Sequence, residues 1–182
     1  MAKQNTSKVH PVYRIINTLS NIAGYLSALS IVIATLAITE GVLVRYILRT
    51  PTIWQVELAV YMLMCATFLG SPWVLKEKGH INIQLITSRF SQKTNAILNL
   101  STSFIAFAFC VLVAWKGWIM WYEAYEGGWV SESLWSVPLV YPYLTIPVGM
   151  SLTALQFLVT IHECVQELKD VNGEVVQSGV KE

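Results

Sequence analysis

The chain has 182 residues, of which 54% are hydrophobic and 13% charged, where an average soluble domain is about 25% charged. A net charge of +1 excludes the strongly basic face that nucleic-acid binding requires. The charges are swept out of four long stretches, each exceeding the roughly 18 apolar residues that mark a membrane span, and this excludes an ordinary soluble domain.

In chain order, the first element is a short amphipathic stretch around Val12, Ile15, Ile16 and Leu19 that runs into an apolar span over residues 22–44. That run is too long for a signal-peptide core and is expected to stay as a membrane helix. Gly24 and Ala28 stand in it at the small-xxx-small spacing that lets helices approach closely. A connection with Arg45 and Arg49 leads to a second span over 53–75. The 76–94 connection repeats Ile83, Ile86, Phe90 and Ile97 at helical spacing among Ser, Arg, Gln and Lys, which predicts an amphipathic helix on the membrane surface. A third span covers 97–118 and a fourth 142–161, and a polar tail over about 168–182 is expected to fray. Pro142 can open the fourth helix; Pro147 lies inside it and is expected to bend it. The fold class is therefore all-α membrane protein, a single four-helix domain over 1–182, because in lipid the backbone must satisfy its own hydrogen bonds.

Orientation follows from lysine and arginine. Lys3, Lys8, Arg14, Lys76, Lys78, Arg89, Lys93, Lys169 and Lys181 fall on one side; Arg45, Arg49 and Lys116 fall on the other. The positive-inside rule places both termini in the cytoplasm. Trp54, Trp115, Trp118, Trp121, Trp129 and Trp135 gather on the outer side, and Trp73 on the inner. An interfacial aromatic belt explains this. A second reading makes the 119–137 loop, which also carries Glu123, Glu126 and Glu132, a surface that steers a soluble partner with a basic rim.

Ionisable groups within spans are functional candidates. Here they are Glu40, near the outer end of the first span, and Glu57, one turn into the second. They read either as an ion path or as groups pairing with Arg45, Arg49 or a neighbouring subunit. His10, His80 and His162 all fall on the inner side, which leaves a haem-binding membrane anchor of a redox complex as an alternative. Cys65, Cys110 and Cys164 have no metal-binding spacing and read as small apolar side chains. Walker, GxSxG and HExxH patterns are missing from the sequence. The paired, Gly/Pro-broken half-helices of a self-contained transporter are missing too. The chain reads as a non-enzymatic scaffold or accessory subunit.

The series Arg45-Tyr46, Trp54-Gln55-Val56-Glu57-Leu58-Ala59, Phe68-Leu69-Gly70 and Glu77-Lys78-Gly79-His80-Ile81, then Pro138-Leu139-Val140-Tyr141 and Pro147-Val148-Gly149, resembles the small membrane (Q) subunit of tripartite ATP-independent periplasmic (TRAP) transporters. Two positions depart from the family pattern: Val56 replaces the first acid of a double Glu, and Gln84 replaces an Asp. The resemblance implies a scaffold for a large membrane subunit in sodium-driven import of a small organic acid that a periplasmic substrate-binding protein captures. The chain itself would hold no cofactor, sodium belonging to the large subunit, and its remaining contacts would be with membrane lipid and not with nucleic acid. The system would lie in the bacterial inner membrane. Arg45, Trp54, Glu57, Glu77, His80, Glu123, Glu126, Trp129 and Tyr141 become the candidates for partner interfaces, and Gly70, Pro138 and Pro147 structural positions.

Overall fold

The computed structural model describes residues 11–78 and 92–179; the predicted surface helix and His80 lie outside them. Four helices follow one another: α1 (Pro11–Leu43), α2 (Trp54–Lys78), α3 (Gln92–Glu126) and α4 (Val140–Gly179). Each contains a segment long and apolar enough to cross a membrane. Pro11 opens α1 where its missing N–H costs nothing. A π-helical turn, Val44–Leu48, closes α1, and Arg49 ends it in the left-handed region at φ 52°.

Three boundaries differ from expectation. Residues 119–126 are helical and not loop, because the stop signal is the Gly127-Gly128 pair and not the aromatic run before it. Pro142 is the third residue of its helix, within the first turn where proline is tolerated. Helical backbone continues to Gly179 through the polar tail.

The helices pack in the order α1–α2–α4–α3. α1 lies along α2, α2 along α4 and α4 along α3; α1 and α4 touch only lightly, and among the described residues α3 makes no substantial contact except with α4. The arrangement is an open layer, not a closed bundle. One end of the layer carries the α1–α2 and α3–α4 connections (the loop end); the other carries the start of α1 and the end of α4 (the terminal end).

The interior inverts the rule for soluble proteins. Its largest fully buried side chains are Pro72, Pro147 and Ser20, while Leu29, Leu36, Ile105, Leu112 and Trp115 lie exposed. Lipid tails are as apolar as leucine, so helices associate in a membrane through close approach and interhelical hydrogen bonds. α1 shows this periodically: Ile16, Ser20, Ala23, Ser27, Ser30, Ala34, Ala37 and Gly41 alternate at four- and three-residue steps, and all are buried. That 3.5-residue period keeps one narrow seam on the partner. Ala28, expected on a contact, faces outward; Gly24 does meet α2, where a Cβ would come within 2.6 Å of Trp73.

The α2–α4 crossing is the closest. Pro72 lacks an N–H, so the Phe68 carbonyl loses its helical donor; Ser71 Oγ donates to it at 2.9 Å instead. Gly149 sits on that same carbonyl, and a Cβ there would fall 2.3 Å from the Phe68 oxygen. Ser71 Oγ also meets Thr153 Oγ1 at 2.6 Å, tying the helices one turn further on. At the α3–α4 crossing, Gly117 lies against Pro147, whose ring a Cβ would approach at 3.3 Å. Gly70 leaves room for Ser27, whose hydroxyl donates across to the Ala66 carbonyl at 2.7 Å.

A Cβ at position 70 would come within 2.6 Å of Ser27 Oγ. A hydroxyl can rotate away, so Gly70→Ala should lose little more than the Ser27–Ala66 bond. Thermal unfolding in detergent should show a loss of about 1–2 kcal/mol.

Towards the terminal end a polar cluster joins three helices. Ser20 Oγ donates to Gln156 Oε1 at 3.0 Å, Gln156 Nε2 reaches Asn17 Oδ1 at 3.4 Å, and Lys76 Nζ donates to Asn21 Oδ1 at 2.6 Å. A cavity of about 200 Å³ opens beside it, lined by Asn17, Lys76, Glu77, Gln156 and Glu163 among others. Interhelical hydrogen bonds in membranes average only about 0.6 kcal/mol. Gln156→Leu should therefore cost no more than about 1.5 kcal/mol in the same unfolding measurement.

Candidate functional site on the loop end

The loop between α3 and α4 is built from the end of α3 outward. Gly128, at φ 57°, takes the left-handed position that follows a helix, and Trp129 N bonds back to the Ala124 carbonyl at 3.1 Å. This is the six-to-one bond of a Schellman ending. The Trp129 indole folds over Gly127, where a Cβ would come within 2.4 Å of its Nε1. The chain then turns back on itself. Val130 and Pro138 form an antiparallel bridge, Ser131 N bonds the Val137 carbonyl at 2.9 Å, and Leu139 N bonds the Trp129 carbonyl at 2.9 Å. The Pro138 carbonyl also accepts from Tyr141 N at 3.4 Å as α4 begins.

The tip of this loop is clasped to the start of α2. Glu57 accepts from Ser133 Oγ through Oε2 and from Tyr61 Oη through Oε1, the latter at 2.6 Å. Ser133 Oγ in turn accepts from Trp135 N at 3.1 Å, and Ser131 Oγ from Ser133 N at 3.2 Å. Trp135 lies on Trp54, ring centroids 6.2 Å apart. A carboxylate in the first turn of a helix also meets the favourable end of the helix dipole. One half-buried acid thus fixes a loop 76 residues away in sequence. The tip presents Leu134, 86% exposed, with Val130 and Glu132 beside it.

The other candidates fall into separate places. Arg45 does not pair with Glu57; its Nη2 donates to Thr52 Oγ1 at 2.9 Å within the α1–α2 connection. The expected pairing among Glu40, Glu57, Arg45 and Arg49 is therefore not made inside the chain, since Glu57 is taken by hydroxyls and Glu40 faces outward. Among the described residues the ion pair is Lys76–Glu77 at 3.8 Å, on the terminal end. Glu126 accepts from Tyr122 Oη at 2.6 Å, the Glu123 side chain is exposed, and Tyr141 stands 71% exposed at the start of α4. Trp118, Trp121 and Tyr125 form an aromatic run on α3, the first pair edge-on at 5.6 Å and the second stacked at 5.9 Å. On the terminal end His162 bonds Gln166 at 2.7 Å and meets the Tyr13 ring at 5.6 Å.

Sequence reading missed Ser133 and Ser131, both of which hydrogen-bond Glu57 from the loop, because a loop serine carries no periodic signal. It also left Gln55 unremarked. Gln55 is 4% exposed and packs against Gly41, where a Cβ would come within 3.1 Å of it, and its Oε1 has no hydrogen-bond partner among the described residues.

The sequence of this chain matches known proteins. The chain is 22% identical over 180 residues, covering 80% of itself and 78% of the relative, to the C4-dicarboxylate TRAP transporter small permease protein DctQ of Vibrio cholerae serotype O1. Residues 34–167 match the family described as the DctQ component of tripartite ATP-independent periplasmic transporters. That match takes in the π-helical turn, α2, all of α3, the clasped loop and most of α4. The chain belongs to the DctQ component family of tripartite ATP-independent periplasmic transporters.

Proposed function

We propose that this multi-pass membrane protein is the static scaffold of a sodium-driven importer of a small organic acid, and that the α3–α4 loop is a docking platform for the periplasmic substrate-binding protein. The observation that carries the scaffold reading is the α2–α4 crossing, where Gly149 rests on the Phe68 backbone. Sliding either helix by a turn would drive a side chain into that backbone, so the layer resists being dragged by a moving neighbour. The substrate path and the sodium sites then belong to a large membrane subunit, and this chain acts without cofactor or catalysis of its own.

The positive-inside count supports cytoplasmic termini and an inner-membrane location, which puts the loop end in the periplasm. There Leu134 and Val130 offer apolar area and Glu123, Glu126 and Glu132 offer negative charge to a soluble receptor. The alternative of a haem anchor gains nothing from His162, which is taken by Gln166 and Tyr13.

The test is purification with the products of neighbouring genes, together with uptake in a deletion strain. A stable complex and loss of sodium-driven uptake are expected; no complex, with uptake intact, ends the reading. Glu57→Gln and Trp54→Ala should lower uptake through weaker assembly. Altered sodium affinity at unchanged subunit association would contradict that.

A further inference from the structure

α3 carries two seams of the same period. One is spent on α4: Ser103, Cys110, Gly117 and Ala124 recur every seven residues, and the last three, small enough for close approach, are buried or nearly so against α4. The other lies on the opposite face. Ile105, Phe109, Leu112, Lys116 and Ile119 alternate at four- and three-residue steps, and every one is exposed. Ile105, Phe109 and Leu112 are each more than 60% exposed, and among the described residues no other helix covers them.

Lipid accounts for the apolar members of this seam but not for Lys116. The register of the layer sets its depth. Gly117 apposes Pro147, and Gly149, two residues along α4, apposes Phe68. Phe68 stands about 21 Å from the level of Trp54 and about 13 Å from that of Glu77, at 1.5 Å per residue. Lys116 therefore sits close to the middle of the span and not on the outer side where the charge count placed it, which leaves Arg45 and Arg49 as the outer cations of that count. It is also about 15 Å inside Glu126, the end of α3. An ammonium at that depth on a lipid-facing stripe is costly, and such groups face a protein partner or a water-filled cavity. The described residues of this chain offer it no counter-charge.

We propose that this outward seam of α3 is the seat of a transmembrane helix of the large membrane subunit, one that presents a carboxylate opposite Lys116. The seam and such a helix are complementary in both period and charge. A 3.5-residue stripe of large apolar side chains takes a second helix at a shallow crossing angle. Its single cation selects the register, as a buried polar position does in coiled coils. The open order of the layer leaves α3 free to accept that helix without disturbing α1, α2 or α4. The inference rests on the scaffold reading above.

The experiment co-expresses the full chain with the large membrane subunit and reads the amount of large subunit recovered on a tag at this chain's C-terminus. Lys116→Glu should lower recovery at least ten-fold, Lys116→Met less, and Lys116→Arg little. A photo-cross-linking residue at Phe109 or Leu112 should form a covalent adduct with the large subunit, and more of it than one at Leu29 or Val32 on α1. If Lys116→Glu recovers the large subunit like the parent, Lys116 reaches lipid phosphate instead and the proposal fails. Adducts from α1 and none from α3 overturn it equally. Failure of the parent chain itself to recover the large subunit would strike the scaffold reading, and so is told apart from failure at Lys116. Unchanged helix content and elution volume of each variant in detergent separate loss of contact from loss of fold.

Discussion

Gly149→Val should cost the folded chain at least about 3 kcal/mol, more than any hydrogen bond in the layer can account for. The substituted Cβ would fall 2.3 Å from the Phe68 oxygen and 2.5 Å from its carbon. Neither atom is the end of a flexible side chain, so the helices themselves must part. That carbonyl is already special, since Pro72 removes its helical donor and Ser71 replaces it. Moving α4 outward would also stretch the Ser71–Thr153 contact. The glycine's second hydrogen takes the Cβ direction and gives the carbonyl a weak C–H···O neighbour. Thermal unfolding in detergent checks the expectation. A loss of this size lowers the midpoint by roughly 6–12 °C in a chain of this length. Gly149→Ala should fall between parent and valine, and Ala28→Val, on the exposed face of α1, should change little. A Gly149→Val chain that melts with the parent would mean that α2 and α4 do not meet at this point.

Four spans were legible because hydropathy over twenty residues is a strong signal. The order in which the spans pack was not. In a soluble bundle the contact faces are the apolar ones and can be read off. Here Leu29 and Val32 are exposed while Ser20, Ser27 and Ser30 are buried, so hydropathy points away from the contacts. The legible signal is the spacing of small residues. On α1 it runs unbroken from Ser20 to Gly41; of the pair expected at a contact, Gly24 meets Trp73 and Ala28 faces outward.

The loop end shows the same division. Glu57 stood out as an ionisable residue within a span. Its partners could not be read, because Ser131 and Ser133 become neighbours of Glu57 only after the Val130–Pro138 bridge has turned the loop back. The extent of the loop was misread for a local reason. Trp118, Trp121, Tyr122 and Tyr125 suit a membrane interface in either helix or loop, so composition did not decide. The Gly127-Gly128 pair did, through the positive φ of Gly128.

Glu57→Ala should release the loop tip while leaving the layer folded. The substitution strips the acceptor from Ser133, and from Tyr61, at a site that water can reach from the loop end. Bonds to a charged acceptor are each worth about 1.5–3 kcal/mol, but water recovers part of this where it enters. A net loss of about 1.4 kcal/mol makes the tip open ten times more often. The unfolding midpoint should move far less than for Gly149→Val, since no helix crossing involves Glu57. Chymotrypsin cleavage after Leu134 or Trp135 in detergent reads the opening directly and should rise about ten-fold. Glu57→Gln keeps one carbonyl oxygen but loses the charge and places an amide donor against a hydroxyl, so its cleavage should be intermediate. Tyr61→Phe, which leaves the Ser133 bond in place, should stay near the parent. If Glu57→Ala is cut no faster than the parent, the backbone bridge alone holds the loop and the carboxylate has another task. If cleavage and loss of uptake rise together through the series Tyr61→Phe, Glu57→Gln and Glu57→Ala, the clasp is what keeps the platform in a shape that its receptor can recognise.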